Sequence, residues 1–110
     1  MAARAPGPPN RRTAERAVEQ STRFSKAKRR LTPEGQRVLD EQVRAILSEP
    51  LRGDPKVGAL RGVRVAKFKI GPMQLLLAYQ LDARRNVVEL LDVGPHENFY
   101  RDLEGYLGRR

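Results

Sequence analysis

The only histidine of this 110-residue chain, His96, is the side chain best suited to proton transfer, because an imidazole gains and loses a proton near neutral pH. It follows a Gly-Pro pair, and Tyr100 comes four residues later. In a helix that spacing places the imidazole and the phenol on one face. Together they could serve as acid or base for a bound substrate, although a lone histidine at a helix start is more often a cap or a surface residue.

Two lysines, Lys67 and Lys69, are separated by a single residue in a stretch whose apolar residues alternate. Strand side chains two residues apart point to the same side and lie about 6.6 Å apart. A pair of positive charges fixed in this way can hold adjacent phosphate groups. The alternative is that both lysines only cover the solvent face of an amphipathic strand and protect its edge.

Composition excludes several other kinds of chemistry. The chain has no cysteine and one histidine, which excludes disulfides, thiolate nucleophiles, cysteine-ligated zinc and paired-histidine metal sites. We therefore expect no metal and no cofactor. No stretch approaches the roughly 20 apolar residues of a membrane span, and the first residues lack the apolar block of a secretory signal. We expect a cytoplasmic protein with no membrane partner.

The charge favours polyanionic partners. The chain carries 22 Lys and Arg against 13 Asp and Glu, a net charge of +9, which points to RNA, DNA or the ribosome. Basic residues are concentrated near the start. Residues 1–14 are predicted to be a disordered basic tail, and residues 15–110 one folded domain. The tail either keeps the protein soluble or contributes phosphate contacts that are independent of sequence.

Two helices are predicted before the lysine pair. The first has Thr22 as its N-cap and runs through Leu31, with Phe24 on its packed side. The second has Thr32 as its N-cap, a proline at its first position and a helical apolar repeat that ends before Pro50. Residues 16–21 either extend the first helix or form a short edge strand, and periodicity does not decide between these.

The loop over residues 51–62 begins a pattern that resembles a nucleotide-binding motif, with Gly53 and Gly58 five residues apart. The match fails because Ala59 and Leu60 stand where the phosphate-binding lysine and the magnesium-binding serine or threonine are needed. The loop therefore gives no nucleotide signature.

The apolar period changes to two after this loop. Residues 63–70 and 73–81 are predicted to form a hairpin around Gly71-Pro72, with Phe68 and the lysine pair on opposite faces. Residues 87–93 are nearly all apolar and are predicted to form a central strand covered on both faces.

A short helix is predicted from His96 onward, with Phe99 and Leu103 on its inner side and Glu97 paired with Arg101. The order helix, helix, strand, strand, strand, short helix predicts an α+β fold. Two N-terminal helices should pack on a small antiparallel sheet of three to four strands, with a short C-terminal helix.

Five segments resemble toxins of the RelE/ParE family of bacterial type II toxin-antitoxin systems, over residues 18 to 107. They are FSKAKRRL at 24–31, GDP at 53–55, LRGVR at 60–64, AYQL at 78–81 and GPHENFYRDL at 94–103, the last being the most specific. The resemblance implies that residues 16–21 form the family's short first strand.

The resemblance also implies an activity. Toxins similar to the RelE branch cleave mRNA in the ribosomal A site without a metal, by driving the ribose 2′-hydroxyl onto the adjacent phosphate. That reaction needs a base, positive charge around the phosphorane and an acid for the leaving 5′-oxygen. The resemblance assigns these catalytic positions to His96, Lys67, Lys69 and Tyr100. Further positive charge for RNA binding is expected from Arg61, Arg64, Arg101 and Lys28, although an arginine near a loop usually bonds backbone carbonyls.

The chain departs from the family at one place. The family's endonucleases commonly carry an arginine on the strand before the conserved tyrosine, whereas here the region holds Leu75, Leu76 and Leu77. This departure favours the alternative of a non-catalytic, ParE-like toxin that binds and inhibits DNA gyrase. A third option is a degenerate member that binds only its antitoxin or nucleic acid. Every version implies a cognate antitoxin as partner.

Overall fold

The fold is a five-stranded sheet with helices on both faces, seen in a computed structural model that describes residues 16–110. The predicted basic tail, residues 1–14, lies outside the described residues. Within that range no helix is long and apolar enough to cross a membrane. The elements in chain order are β1 (Ala17–Gln20), α1 (Thr22–Arg29), α2 (Pro33–Ser48), β2 (Asp54–Pro55), β3 (Arg64–Ile70), β4 (Met73–Asp82), β5 (Val87–Gly94) and α3 (Phe99–Gly108).

The predicted α+β fold is confirmed, with a larger sheet than expected. The strand order is β1-β5-β4-β3-β2, in which β1 runs parallel to β5 and the other pairs are antiparallel. The sheet is therefore mixed, because residues 16–21 supply an edge strand and the loop after α2 adds the two-residue strand β2. The prediction of a central third strand is confirmed, since β5 lies between β1 and β4.

The cap of α1 is Ser21 and not Thr22, and α1 ends at Arg29 before the predicted Leu31. The Ser21 hydroxyl accepts a hydrogen bond from the Phe24 N–H at 2.9 Å and donates one to the Leu91 carbonyl at 2.8 Å. The sequence alone did not indicate Ser21 as the cap, because its bond to the distant strand β5 leaves no local signal. The predicted Thr32 cap of α2 is confirmed by its bond from the Gly35 N–H at 3.0 Å.

Strand β4 is buried on both faces, and its side chains alternate between two cores. Leu75 and Leu77 enter the core under α1 and α2, whereas Leu76 and Ala78 enter the core under α3. Each of the four is at most 1% exposed. Strand β3 alternates in the same way, so that paired side chains of β3 and β4 share a face.

The predicted alternation of β3 is confirmed. Phe68 packs in the core under α1 and α2, and Val65 packs in the core under α3. Lys67 and Lys69 lie on the same side of the strand as Val65, and both are exposed. The pairing of β3 with β4 thus fixes both lysines on the α3 side of the sheet.

The C-terminal helix begins at Phe99, three residues later than predicted. Asn98 adopts the left-handed conformation with φ 60°, which asparagine tolerates better than most residues and which interrupts a helical path. Glu97 therefore lies outside the helix, and its predicted pairing with Arg101 is wrong. The Arg101 guanidinium lies instead 3.7 Å from a carboxylate oxygen of Asp102.

The segment after α2 is held by the buried hydroxyl of Tyr79. That hydroxyl donates to the Pro50 carbonyl at 2.8 Å and accepts from the Gly53 N–H at 2.8 Å. A Cβ on Gly53 would lie 2.7 Å from the same oxygen, so no larger residue fits there without a shift. The loop is thereby fastened to the centre of the sheet before it enters β2.

We expect Tyr79→Phe to lower the free energy of unfolding by roughly 1–3 kcal/mol, because the Gly53 N–H and the Pro50 carbonyl lose a buried partner. Urea titration at neutral pH measures the change. Tyr100→Phe is the matched control, since the Tyr100 hydroxyl forms no hydrogen bond within residues 16–110. Equal destabilisation by both changes would contradict this role of Tyr79.

The difference in the free energy of unfolding between wild type and Tyr79→Phe should also depend on pH. Burial raises the pKa of Tyr79 above that of free tyrosine, against smaller lowering effects of its bond with Gly53 and of nearby arginines. The fold therefore favours the neutral phenol, and this contribution is complete below about pH 10 and is lost as the pH rises through the raised value. The difference between wild type and Tyr79→Phe should narrow above about pH 10.

Candidate functional site

The lysine pair and His96 lie at the same end of the α3 side of the sheet. Lys67 is paired with Leu76 in β4, and Leu76 is paired in turn with Gly94 at the end of β5. Adjacent strands are about 4.8 Å apart, so the Cα atoms of Lys67 and Gly94 are separated by roughly 10 Å. His96 follows Gly94 by two residues and is exposed.

The rings of His96 and Tyr100 are in contact. Their centroids are 5.5 Å apart with an interplanar angle of 81°, which is an edge-to-face arrangement. Tyr100 also packs edge-to-face with Phe99 at 5.7 Å. The predicted proximity is confirmed, but it arises from the turn at residues 96–98, closed by the Phe99 N–H bonded to the His96 carbonyl at 3.1 Å, and not from one helix face.

Helix α3 is held in place at both ends, and this positions Tyr100. Phe99 and Leu103 are buried in the core under α3. Near the other end, two guanidinium groups contact the Tyr106 ring, those of Arg23 at 5.4 Å and Arg110 at 5.7 Å from its centroid. Arg23 itself is ion-paired at 2.8 Å with Asp92.

Sequence reasoning missed Lys56, which joins this group. Its ammonium nitrogen lies 5.0 Å from the centroid of the Tyr100 ring, within the range of a cation–π contact. Lys56 belongs to a loop rich in glycine and proline, where periodicity gives no indication of side-chain direction. The one available signal was its place directly after the GDP segment that carries part of the family resemblance.

Three ammonium groups on this side of the sheet have no acidic partner. Within residues 16–110, no carboxylate oxygen lies within 4.0 Å of the side-chain nitrogen of Lys56, Lys67 or Lys69. Their charge is therefore available to an anionic ligand. In the part of the chain that the structure describes, no cluster of three or more histidine and acidic side chains could hold a metal ion.

Two of the expected RNA-binding residues are engaged elsewhere. The Arg64 guanidinium donates to the carbonyls of Leu51 at 2.9 Å and Gly53 at 2.8 Å, on the side of the sheet that faces α2. The Lys28 ammonium is 2.8 Å from a carboxylate oxygen of Asp40 and joins α1 to α2. Neither lies beside His96.

The other two residues expected to bind RNA, Arg61 and Arg101, are exposed. Arg61 follows the short 3₁₀ turn Gly58–Leu60 just before β3, and Arg101 lies on α3 directly after Tyr100. The side chain of Arg101 is 75% exposed, so its contact with Asp102 leaves most of the guanidinium in solvent.

Three leucines stand where the family commonly carries an arginine, and only one of them lies on the α3 side of the sheet. Of the three leucines, only Leu76 points to the α3 side, where it is 1% exposed between Lys67 and Gly94. The middle of the row is thus apolar and carries no charge.

A family model for the ParE-like toxin of type II bacterial toxin-antitoxin systems matches residues 18–104. The chain belongs to this family. The match confirms the resemblance drawn from the sequence. Among proteins with curated descriptions, none matches the chain.

Solved structures of related toxins share the fold. A mutant of the Escherichia coli toxin RelE with two arginines replaced, in the free state, aligns with a TM-score of 0.67 at 20% identity over 84% of this chain and 95% of that one. A chain of the toxin-antitoxin complex RelBE2 of Mycobacterium tuberculosis gives a TM-score of 0.64 at 24% identity, over 73% of this chain and 90% of that one. The archaeal RelE-RelB complex of Pyrococcus horikoshii gives 0.53 at 17%, over 74% and 94%. At these identities the likeness shows the fold alone.

We expect Arg64→Ala to lower the free energy of unfolding by roughly 1.5–3 kcal/mol, because two carbonyls lose a charged donor. Arg61→Ala is the matched control and should stay within about 0.5 kcal/mol of wild type, since Arg61 is exposed. Chemical denaturation of both variants measures this. A stable Arg64→Ala protein with weakened RNA binding would assign Arg64 to the ligand instead.

Proposed function

We propose that this toxin is a ribosome-dependent mRNA endonuclease that needs no metal, and that its site is the α3 side of the sheet. The observation that supports the proposal is that Lys67 shares a row of the sheet with Gly94, two residues before His96, and that His96 contacts Tyr100 of α3. The free ammonium groups there favour a polyanionic substrate. Since the proposed target is the ribosome, we also propose a cytoplasmic location.

The proposed reaction is transfer of the phosphodiester to the 2′-oxygen. The 2′-oxygen forms a bond to phosphorus and gives up its proton, while the bond from phosphorus to the 5′-oxygen breaks and that oxygen takes a proton. His96 is proposed as the acid or base, because its ring is exposed and held at its edge by Tyr100. Lys67 and Lys69 are proposed to stabilise the charge on the phosphorane.

Positive charge around this centre is proposed to bind the rest of the RNA. Arg61 and Arg101 are exposed and free to contact phosphates. Arg64 and Lys28 contribute only if they leave their present partners, the loop carbonyls and Asp40. We therefore give the first two the larger share of RNA binding.

Replacing His96 by Ala should lower the cleavage rate by about 10² to 10⁴, the usual contribution of a proton-transfer group. Toeprinting of mRNA on translating ribosomes with purified toxin measures cleavage at the A-site codon. Arg84→Ala is the control, because Arg84 is exposed in the turn between β4 and β5 and forms no ion pair within the described residues.

Intact A-site codons in the presence of ribosome-bound wild-type toxin would overturn the endonuclease proposal. Full cleavage by the His96→Ala variant would leave cleavage standing but remove His96 from it.

A second candidate function is inhibition of DNA gyrase, and the apolar Leu76 favours it. Leu76 occupies the position between Lys67 and Gly94 where a charged side chain would reach a bound phosphate. A family model of ParE-like toxins also matches the chain. A supercoiling assay decides: inhibition that persists in His96→Ala, together with intact codons in the toeprint, would establish the second function over the first.

We further propose that a cognate antitoxin covers the α3 side of the sheet. Related toxins have been solved as RelBE complexes, one from Escherichia coli and one from Mycobacterium tuberculosis. The uncompensated lysines of this chain favour an antitoxin segment with Asp and Glu opposite Lys67 and Lys69.

The affinity for the antitoxin should therefore fall as the salt concentration rises, because exposed ion pairs are screened. Calorimetric titration at several salt concentrations measures this. The Lys67→Ala/Lys69→Ala variant should show a weaker salt dependence, and Arg84→Ala should match wild type. An affinity of wild type that does not change with salt would contradict the proposed contact.

A further inference from the structure

We propose that Lys56 is a third phosphate-binding cation of this site and that it contacts a different phosphate of the bound RNA strand from Lys67. The inference deepens the proposed function, because the ligand is the same RNA strand. It rests on three features of Lys56. Its backbone is fixed, its ammonium group has no acidic partner within residues 16–110, and it contacts the same Tyr100 ring as His96.

The backbone of Lys56 is fixed to the start of β3. Its N–H donates to the Val63 carbonyl at 2.9 Å, directly after β2 pairs Asp54 with Val65 and Pro55 with Arg64. The hydrogen-bonded ladder thus continues by one residue beyond the strand. Lys56 therefore leaves the sheet edge from a defined point and not from a free loop.

The ammonium group of Lys56 rests on an aromatic face instead of a carboxylate. It lies 5.0 Å from the centre of the Tyr100 ring, and within residues 16–110 it forms no ion pair. A cation–π contact leaves the other N–H bonds of the ammonium group free to reach an anion. Binding a phosphate therefore breaks no salt bridge.

Tyr100 brings Lys56 close to the proposed proton-transfer group. The ammonium nitrogen and the His96 ring contact the same phenol, at 5.0 Å and 5.5 Å from its centroid. An RNA strand that presents a phosphate to His96 passes within reach of Lys56. The cation is thus part of the same surface as the imidazole.

The spacing along β3 assigns Lys56 and Lys67 to separate phosphates. Val63, which bonds Lys56, precedes Lys67 by four residues, which corresponds to roughly 13 Å along a strand. Leu76 leaves the middle of the neighbouring row without charge. Two lysines whose backbones leave the sheet this far apart can contact two different phosphates of an extended strand, and their contributions to binding should then be independent.

The test is binding of a 2′-O-methyl single-stranded RNA, which lacks the 2′-hydroxyl that the proposed reaction needs and therefore stays intact. Fluorescence anisotropy measures the affinity over a series of salt concentrations. Each lost phosphate contact on a single strand lowers the slope of log affinity against log salt by about 0.7. Lys56→Ala should lose that amount, and Lys56→Arg should keep the wild-type slope. The double variant Lys56→Ala/Lys67→Ala should lose about twice as much.

Arg84→Ala, which removes one exposed charge at the far end of the sheet, should leave the slope unchanged. Thermal unfolding of each variant separates loss of binding from loss of fold. A wild-type slope in a folded Lys56→Ala protein, an equal loss in Arg84→Ala, or no RNA binding by wild type at the lowest salt would overturn the proposal.

The toeprint separates this inference from the proposed function. A toxin that cleaves mRNA while Lys56→Ala keeps the full slope overturns only the role of Lys56. A toxin whose RNA binding depends on Lys56 but which leaves codons intact overturns only the endonuclease.

Discussion

Phe68 and Val65 enter opposite cores of the molecule, and a shift of strand β3 by one residue would turn each of them to the face of the other core. The same shift would turn Lys67 and Lys69 toward the apolar side chains under α1 and α2, where unpaired ammonium groups are costly to bury. Hydrophobic packing on both faces thus determines where the charge lies. The lysines point to the α3 side because Phe68, which lies between them, packs in the core under α1 and α2.

The position of α3 determines where His96 and Tyr100 lie relative to the lysines. Its burial depends on Phe99 and Leu103, and near its far end Tyr106 contacts two arginines. Once these contacts form, the turn that precedes the helix places the His96 ring against Tyr100. The helix therefore serves both as a cover for the second core and as the support of the candidate site. The functional surface is a consequence of the same contacts that stabilise the fold.

Features with a local cause could be predicted from the sequence, and features with a distant cause could not. Thr32 and the proline after it mark the start of α2 through bonds within one turn, and the alternation of β3 shows which face carries the lysines. Ser21 caps α1 with help from a carbonyl on β5, and Lys56 meets Tyr100 only because the sheet edge and α3 come together. Neither contact has a signature in the spacing of residues.

The account depends most on the claim that ligands bind the α3 side of the sheet and not the side of the helix pair. Chemical-shift mapping of the isotope-labelled protein with a 2′-O-methyl RNA tests this claim directly. The largest shifts should occur at Lys56, Lys67, Lys69, His96 and Tyr100. Shifts confined to the exposed surface of α1 and α2, with the resonances of these five residues unmoved, would contradict it.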